Sequence, residues 1–150
     1  MKKIICLLLC VLLTVPCLAL GEGAAFGDVV EVQTITTTNG AVRCLAKTGA
    51  GLSTNQETML ILKMEWENHS GKSQSFNNLY AITIYQNGIE LDVEYYVRKS
   101  MDAMRKVRDG YSLEFEIGVE TKDFLSPLIM EVHEIFDFNA EPQEVTIEFQ

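Results

Sequence analysis

The groups in this 150-residue chain with nucleophilic or soft-ligand chemistry are four cysteines and two histidines, set among 21 carboxylates. Cys6, Cys10 and Cys17 fall in an N-terminal export segment, which leaves Cys44, His69 and His133 for the exported chain. Cys44 with His133 has the composition of a thiol nucleophile and its base, but no local signature surrounds either residue. Cys44 lies in the middle of the expected strand at 41–47, where a lone cysteine is more often a small buried hydrophobe. Glu65, Glu67 and His69 alternate along one strand face, and Glu131 and His133 repeat the arrangement. Neighbours on one face stand about 7 Å apart, too far to clamp an ion without a second strand. A His69/His133/carboxylate zinc or copper site therefore requires these two strands to pair. Phosphate-cradling glycine loops, dinucleotide fingerprints and Gly-x-Ser-x-Gly are absent. With acids scattered over solvent faces, no glycosidase pair can be singled out.

Chemistry by binding is the other possibility. Tyr80, Tyr85, Tyr95, Tyr96 and Tyr111 fall close enough in sequence to suggest an aromatic surface, and tyrosine favours interfaces. Tyr85, Tyr95 and Tyr96 are the candidates, because Tyr85 should point away from Ile82 and Ile84 and the other two sit just outside a strand. The basic residues Arg98, Lys99, Arg105 and Lys106 are expected on a solvated face.

The N-terminus sets the compartment. Lys2 and Lys3 lead into an apolar stretch at 4–13, and Ala19 and Gly21 offer small residues for cleavage after Gly21 or Ala19. This is the pattern of a cleavable signal peptide, residues 1–21. A retained anchor needs about 20 consecutive apolar residues, and Thr14 and Pro16 break the run. Cys17 is the alternative processing point: cleavage before it followed by lipidation would tether the domain to the membrane surface. Removing Lys2 and Lys3 takes the formal charge from −9 to −11. That balance argues against nucleic acid, which demands a basic footprint, and disfavours attachment to anionic lipid. A single remaining cysteine permits no internal disulfide, so the core alone must hold the exported domain.

The elements that would position these residues are strands. Period-two alternation runs through Thr58–Asn68, with Leu60, Leu62, Met64 and Trp66 on one face and Ile61 as the exception. It recurs at Tyr80, Ile82 and Ile84, at Leu113, Phe115, Ile117 and Val119, and at Val145, Ile147 and Phe149. Weaker strands are expected at 29–36, 41–47, 89–93 and 128–133. Asn39-Gly40 and Asn87-Gly88 are two-residue hairpin signals, and Asp109-Gly110 marks a further turn. Asn68-His69-Ser70, a glycosylation acceptor pattern, reads as a turn. Only the segment near 96–106 departs, with Val97, Met101 and Met104 at the spacing of one short helix. The expectation is an all-β, immunoglobulin-like antiparallel sandwich of about seven strands over residues 28–150, after a short linker at 22–27.

Trp66-Glu67-Asn68-His69-Ser70-Gly71-Lys72-Ser73, then Ser75-Phe76, then Tyr85-Gln86-Asn87-Gly88-Ile89-Glu90-Leu91 and Asp109-Gly110-Tyr111-Ser112-Leu113-Glu114-Phe115 form a further pattern. It resembles a family of small secreted or lipid-anchored proteins of Gram-positive bacteria classed only as a domain of unknown function. That family is similar to exported bacterial domains with a telokin-like immunoglobulin fold. The resemblance implies a two-sheet sandwich outside the membrane and supplies no catalytic residues. Asp109 stands where the family often has a proline.

These readings lead to one expectation of function: a non-enzymatic binding or adaptor module at the bacterial cell surface, secreted, with no cofactor and an unknown envelope or extracellular partner. Membrane association would follow only from lipidation at Cys17. The alternative is a metal-binding or small hydrolytic protein using His69 or His133.

Overall fold

The computed structural model describes residues 27–98, 101–137 and 141–149. The segment expected to be a signal peptide, with Cys17, and the expected linker at 22–27 up to residue 26 lie outside them. Among the described residues ten strands run in order: β1 (Gly27–Asp28), β2 (Thr34–Thr37), β3 (Gly40–Leu52), β4 (Thr58–Asn68), β5 (Tyr80–Gln86), β6 (Ile89–Leu91), β7 (Val93–Glu94), β8 (Ser112–Glu120), β9 (Leu128–Glu134) and β10 (Gln143–Ile147). A one-turn helix α1 (Phe76–Leu79) leads into β5, and a 3-10 turn spans Asp102–Met104.

The strands form two antiparallel sheets. The larger runs β1-β3-β4-β8-β7, with β2 sharing the β3 edge that β1 also uses; the smaller runs β10-β9-β5-β6. Each contributes its apolar alternate positions to one core. Val42, Leu60, Leu62, Met64, Trp66, Phe115, Ile117 and Val119 face Tyr80, Ile82, Ile84, Leu128, Met130, Val132 and Ile147. Burying one such side chain stabilises by about 1.5–3 kcal/mol. Phe76 completes an aromatic cluster at one end, its ring centroid 4.7 Å from Phe115 and 5.2 Å from Tyr80.

Turn chemistry sets the register. Asn87 and Gly88 take φ of 53° and 78° between Gln86 and Ile89, the positive pair that a type I′ hairpin turn needs. At the other expected hairpin the turn residues are Thr38 and Asn39, and Gly40 is already the first residue of β3. Gly40 is required for a different reason: a Cβ there would collide with the carbonyl oxygen of Glu67.

Two irregularities in β3 interrupt its pairing with β4, between Cys44 and Ala46 and between Lys47 and Gly49. An extra residue inverts the alternation downstream. Cys44 pairs with inward Met64, and Lys47 pairs with inward Leu62. Lys47 is therefore buried despite its charge, its ammonium donating to the Phe124 carbonyl at 2.9 Å and lying 4.9 Å over the Phe149 ring.

Two sequence expectations need correction. The strand expected at 29–36 is divided: Val29 bridges to Phe149 and the Val30 amide donates to Glu148 at 2.8 Å, while β2 begins only at Thr34. Here the chain leaves β3 to meet the end of the C-terminal strand, joining the two sheets at a corner. Among the described residues, bridges and turns cut the longer runs of the expected sandwich into ten strand segments. No helix spans the described part of 96–106, which holds only the 3-10 turn. Val97 packs with Met59 and Ile61 on the outer face of the larger sheet, whereas Ala103 enters the main core. A continuous helix could not serve both faces of β8. The same packing explains Ile61, whose outward side chain is covered by Val97.

Candidate functional site

The loops at one end of the sandwich converge on an open cleft of about 400 Å3. It is lined by Thr38 and Asn39 from the β2–β3 turn, Ser70, Lys72 and Gln74 from the β4–α1 loop, and Leu79, Glu134, Phe136 and Asp137 from the smaller sheet's side. Its walls therefore belong to both sheets.

Hydrogen bonds hold those walls in place. Buried Asn68 organises the β4–α1 loop: its amide nitrogen donates to the carbonyls of Lys72 and Val107, each at 2.8 Å, and its side-chain oxygen accepts the Ser70 amide at 3.0 Å. Such a fully engaged, fully buried side chain is a structural tie and no glycosylation acceptor. The Gly71 amide donates to Asp109 at 2.8 Å, and Gln74 and Val107 form a two-bond bridge. Across the cleft the Asn39 amide donates to the Glu134 carboxylate at 3.0 Å. Beneath it the hydroxyls of Thr37 and Tyr80 meet at 2.7 Å. Burial pushes the Tyr80 phenol up to about 12, with the Thr37 bond opposing and the Glu134 charge adding.

The lining offers hydroxyls, side-chain amides, one ammonium from Lys72 and two carboxylates, with Phe136 three-quarters exposed at the lip. This arrangement can hold a ligand by hydrogen bonds and a ring face. The Ser70 hydroxyl donates to the Lys72 carbonyl at 3.1 Å rather than to a base.

The residues singled out from the sequence do not converge on this cleft or on one another. Cys44 is buried in β3, where desolvation pushes its thiol up to about 12; a thiolate is the reactive form. His69 follows β4 in the larger sheet and lies 2.9 Å from Glu67, while His133 is in β9 of the smaller sheet, 3.3 Å from Glu131. The strand pairing that a shared metal site requires does not occur, since β4 pairs with β3 and β8. Among the described residues no group of three or more His, Cys, Asp or Glu side chains could hold a metal ion.

The three tyrosines also separate. Tyr85 projects from the outer face of β5, opposite Glu90 and Ile129. Tyr95 turns the other way, its ring packed against the core and its hydroxyl accepting the Ile82 amide at 3.0 Å. It completes a hydrogen bond at the edge of β5. Tyr96 is exposed beyond it. Phe136, Gln74 and Glu134 were not singled out by sequence reasoning. A lone aromatic in a turn after a strand was the available signal for Phe136.

Similarity to solved structures extends over most of the chain at very low identity. A candidate lipoprotein (ycdA) of Bacillus subtilis matches with a TM-score of 0.55 and 11% identity, covering 77% of this chain. The chain spans only 38% of that protein's length. A conserved hypothetical protein of Bacillus anthracis matches with a TM-score of 0.51 and 8% identity, covering 80% of this chain and 96% of the other. These likenesses concern the fold. No curated protein matches the sequence. A family model, described as a domain of unknown function (DUF5067), matches residues 28–134, the span from β1 to the end of β9, and the chain belongs to that family.

Proposed function

We propose that this protein is an exported, non-enzymatic binding module of the bacterial cell envelope that engages its ligand in the cleft at the end of the sandwich. The observation that carries this reading is the convergence of loops from both sheets on one open, polar-lined concavity with Phe136 at its lip. Loops on a rigid sandwich are where such folds bind. The burial of Cys44, which pushes its thiol up to about 12, argues against that residue as a nucleophile. The signal-like N-terminus supports export, and the Bacillus subtilis protein of similar fold is described as a candidate lipoprotein, which favours the envelope.

The test is a titration of the isotope-labelled domain with soluble peptidoglycan fragments and with purified surface proteins of the host, followed by amide NMR. Localised shifts at Ser70, Gln74 and Phe136 that vanish in Phe136→Ala support the cleft. Shifts elsewhere, or none with any probe, count against it. Intact mass of the native protein then settles its attachment. A released species starting at Glu22 or Leu20 means a secreted module, and a membrane species starting at an acylated Cys17 means a tethered one.

A further inference from the structure

The outer face of the smaller sheet has a charge pattern unlike the rest of the molecule. No lysine or arginine occurs on any of its four strands, β5, β6, β9 and β10. Its outward positions follow from pairing with the inward Ile82, Ile84, Met130 and Val132. Tyr85 lies between Glu90 and Ile129, and Glu131 lies between Thr83 and Glu144. The centre is thus a Tyr85–Ile129 cross-strand pair, with Ile129 38% exposed, and glutamates surround it on three strands.

The larger sheet treats its charges differently. On its outer face Arg43 pairs with Glu65 and Glu67, Lys63 with Glu114 at 2.7 Å, and Arg98 with Glu116 at 3.1 Å. Those carboxylates have cations of their own. On the smaller sheet Glu131 has the His133 imidazole at 3.3 Å and Glu144 directly across the strand. Like charges placed opposite one another destabilise a sheet. The Tyr85 phenol is pushed up by desolvation first and then by the charges of Glu131 and Glu90, which places it within the field of these carboxylates.

We propose that this face docks a basic segment of a partner protein, with an arginine or apolar side chain over the Tyr85–Ile129 pair and lysine or arginine side chains on Glu90, Glu131 and Glu144. Charge complementarity selects the partner, since a cationic segment relieves the repulsion that the free sheet bears. A guanidinium also stacks favourably on a tyrosine ring. This surface is distinct from the end cleft. With both in use, the domain bridges two partners.

The experiment uses a fluorescent arginine- and leucine-containing cationic peptide, its glutamate-substituted analogue, and the domain expressed from residue 22 onward, with binding read by anisotropy. Glu131→Gln combined with Glu144→Gln should weaken peptide binding about tenfold, as should Tyr85→Ala. Raising the ionic strength should weaken it further. Glu65→Gln with Glu114→Gln on the other sheet should leave it within about twofold. Equal loss from that second pair would mean general attraction to an acidic protein and overturn the proposal, as would absence of binding. Sedimentation showing self-association abolished by Tyr85→Ala would also overturn it, assigning the face to a second copy of the chain. Phe136→Ala, which disables the proposed cleft, should leave peptide binding intact, so the two surfaces fail or succeed separately.

Discussion

The hydroxyl of Thr37 meets that of Tyr80 at 2.7 Å, a direct bond from β2 of the larger sheet to β5 of the smaller one. It lies below the Asn39–Glu134 contact, so two polar links cross the sandwich under and beside the cleft. Tyr80→Phe keeps the ring among Trp66 and Phe76 but leaves Thr37 without this partner. The expected cost is about 1 kcal/mol, read as a lower denaturation midpoint. Cleft residues such as Asn39 should exchange their amide hydrogens faster. An unchanged midpoint and exchange pattern would mean that the bond contributes nothing.

Buried ionisable groups set the alkaline limit. The Cys44 thiol is raised from 9.0 and the Tyr80 phenol from 10.0, both to about 12. The folded state holds these protons more tightly than the unfolded chain does. Their contribution is therefore complete below pH 9.0 and is lost as pH rises from there towards about 12. Urea unfolding from neutral pH upward should show falling stability from near the lower of these values. Cys44→Ala should delay the onset to where Tyr80 begins to ionise. A native thiol that reacts with a disulfide reagent without unfolding would contradict this burial.

Gly40 tolerates no side chain because Glu67 occupies the space a Cβ would need. Gly40→Ala should cost roughly 1–3 kcal/mol or more through forced separation of β3 and β4. Gly88→Ala, at a position with φ of 78° and open space around it, should cost only about 1 kcal/mol from backbone strain. Thermal unfolding of both variants checks the order; the reverse ranking would refute the close-approach account.

Val97 closes a small satellite cluster with Met59 and Ile61, outside the main core. Val97→Ser should free the segment after β7 without unfolding the sandwich. Hydrogen exchange at Val93 and Glu94 should accelerate, while β4 and β5 stay protected. Uniform acceleration across all strands would instead make Val97 part of the global folding unit.

The alternation of Leu60, Leu62, Met64 and Trp66, and of Tyr80, Ile82 and Ile84, was enough to predict strands and their buried faces, since a strand's side chains obey a strict period of two. Asn87-Gly88 likewise announced its turn, because few residue pairs accept two positive φ angles. Period-two reading cannot see a bulge, so the inward placement of Lys47 was invisible before β3 and β4 were paired. Nor does local spacing reveal that Val97 and Ala103 anchor on opposite faces of β8. The site was less legible than the fold. Asn39, Gln74, Glu134 and Phe136 lie in separate loops and meet only because both sheets end at the same level. The net charge was countable residue by residue, but its division was decided by topology. Strand order put cations beside Glu65, Glu67, Glu114 and Glu116 of the larger sheet and left Glu90, Glu131 and Glu144 on a sheet without lysine or arginine. Local chemistry is written in the order of residues along the chain; which distant residues become neighbours is a property of strand order and register, and those depend on how the whole core packs.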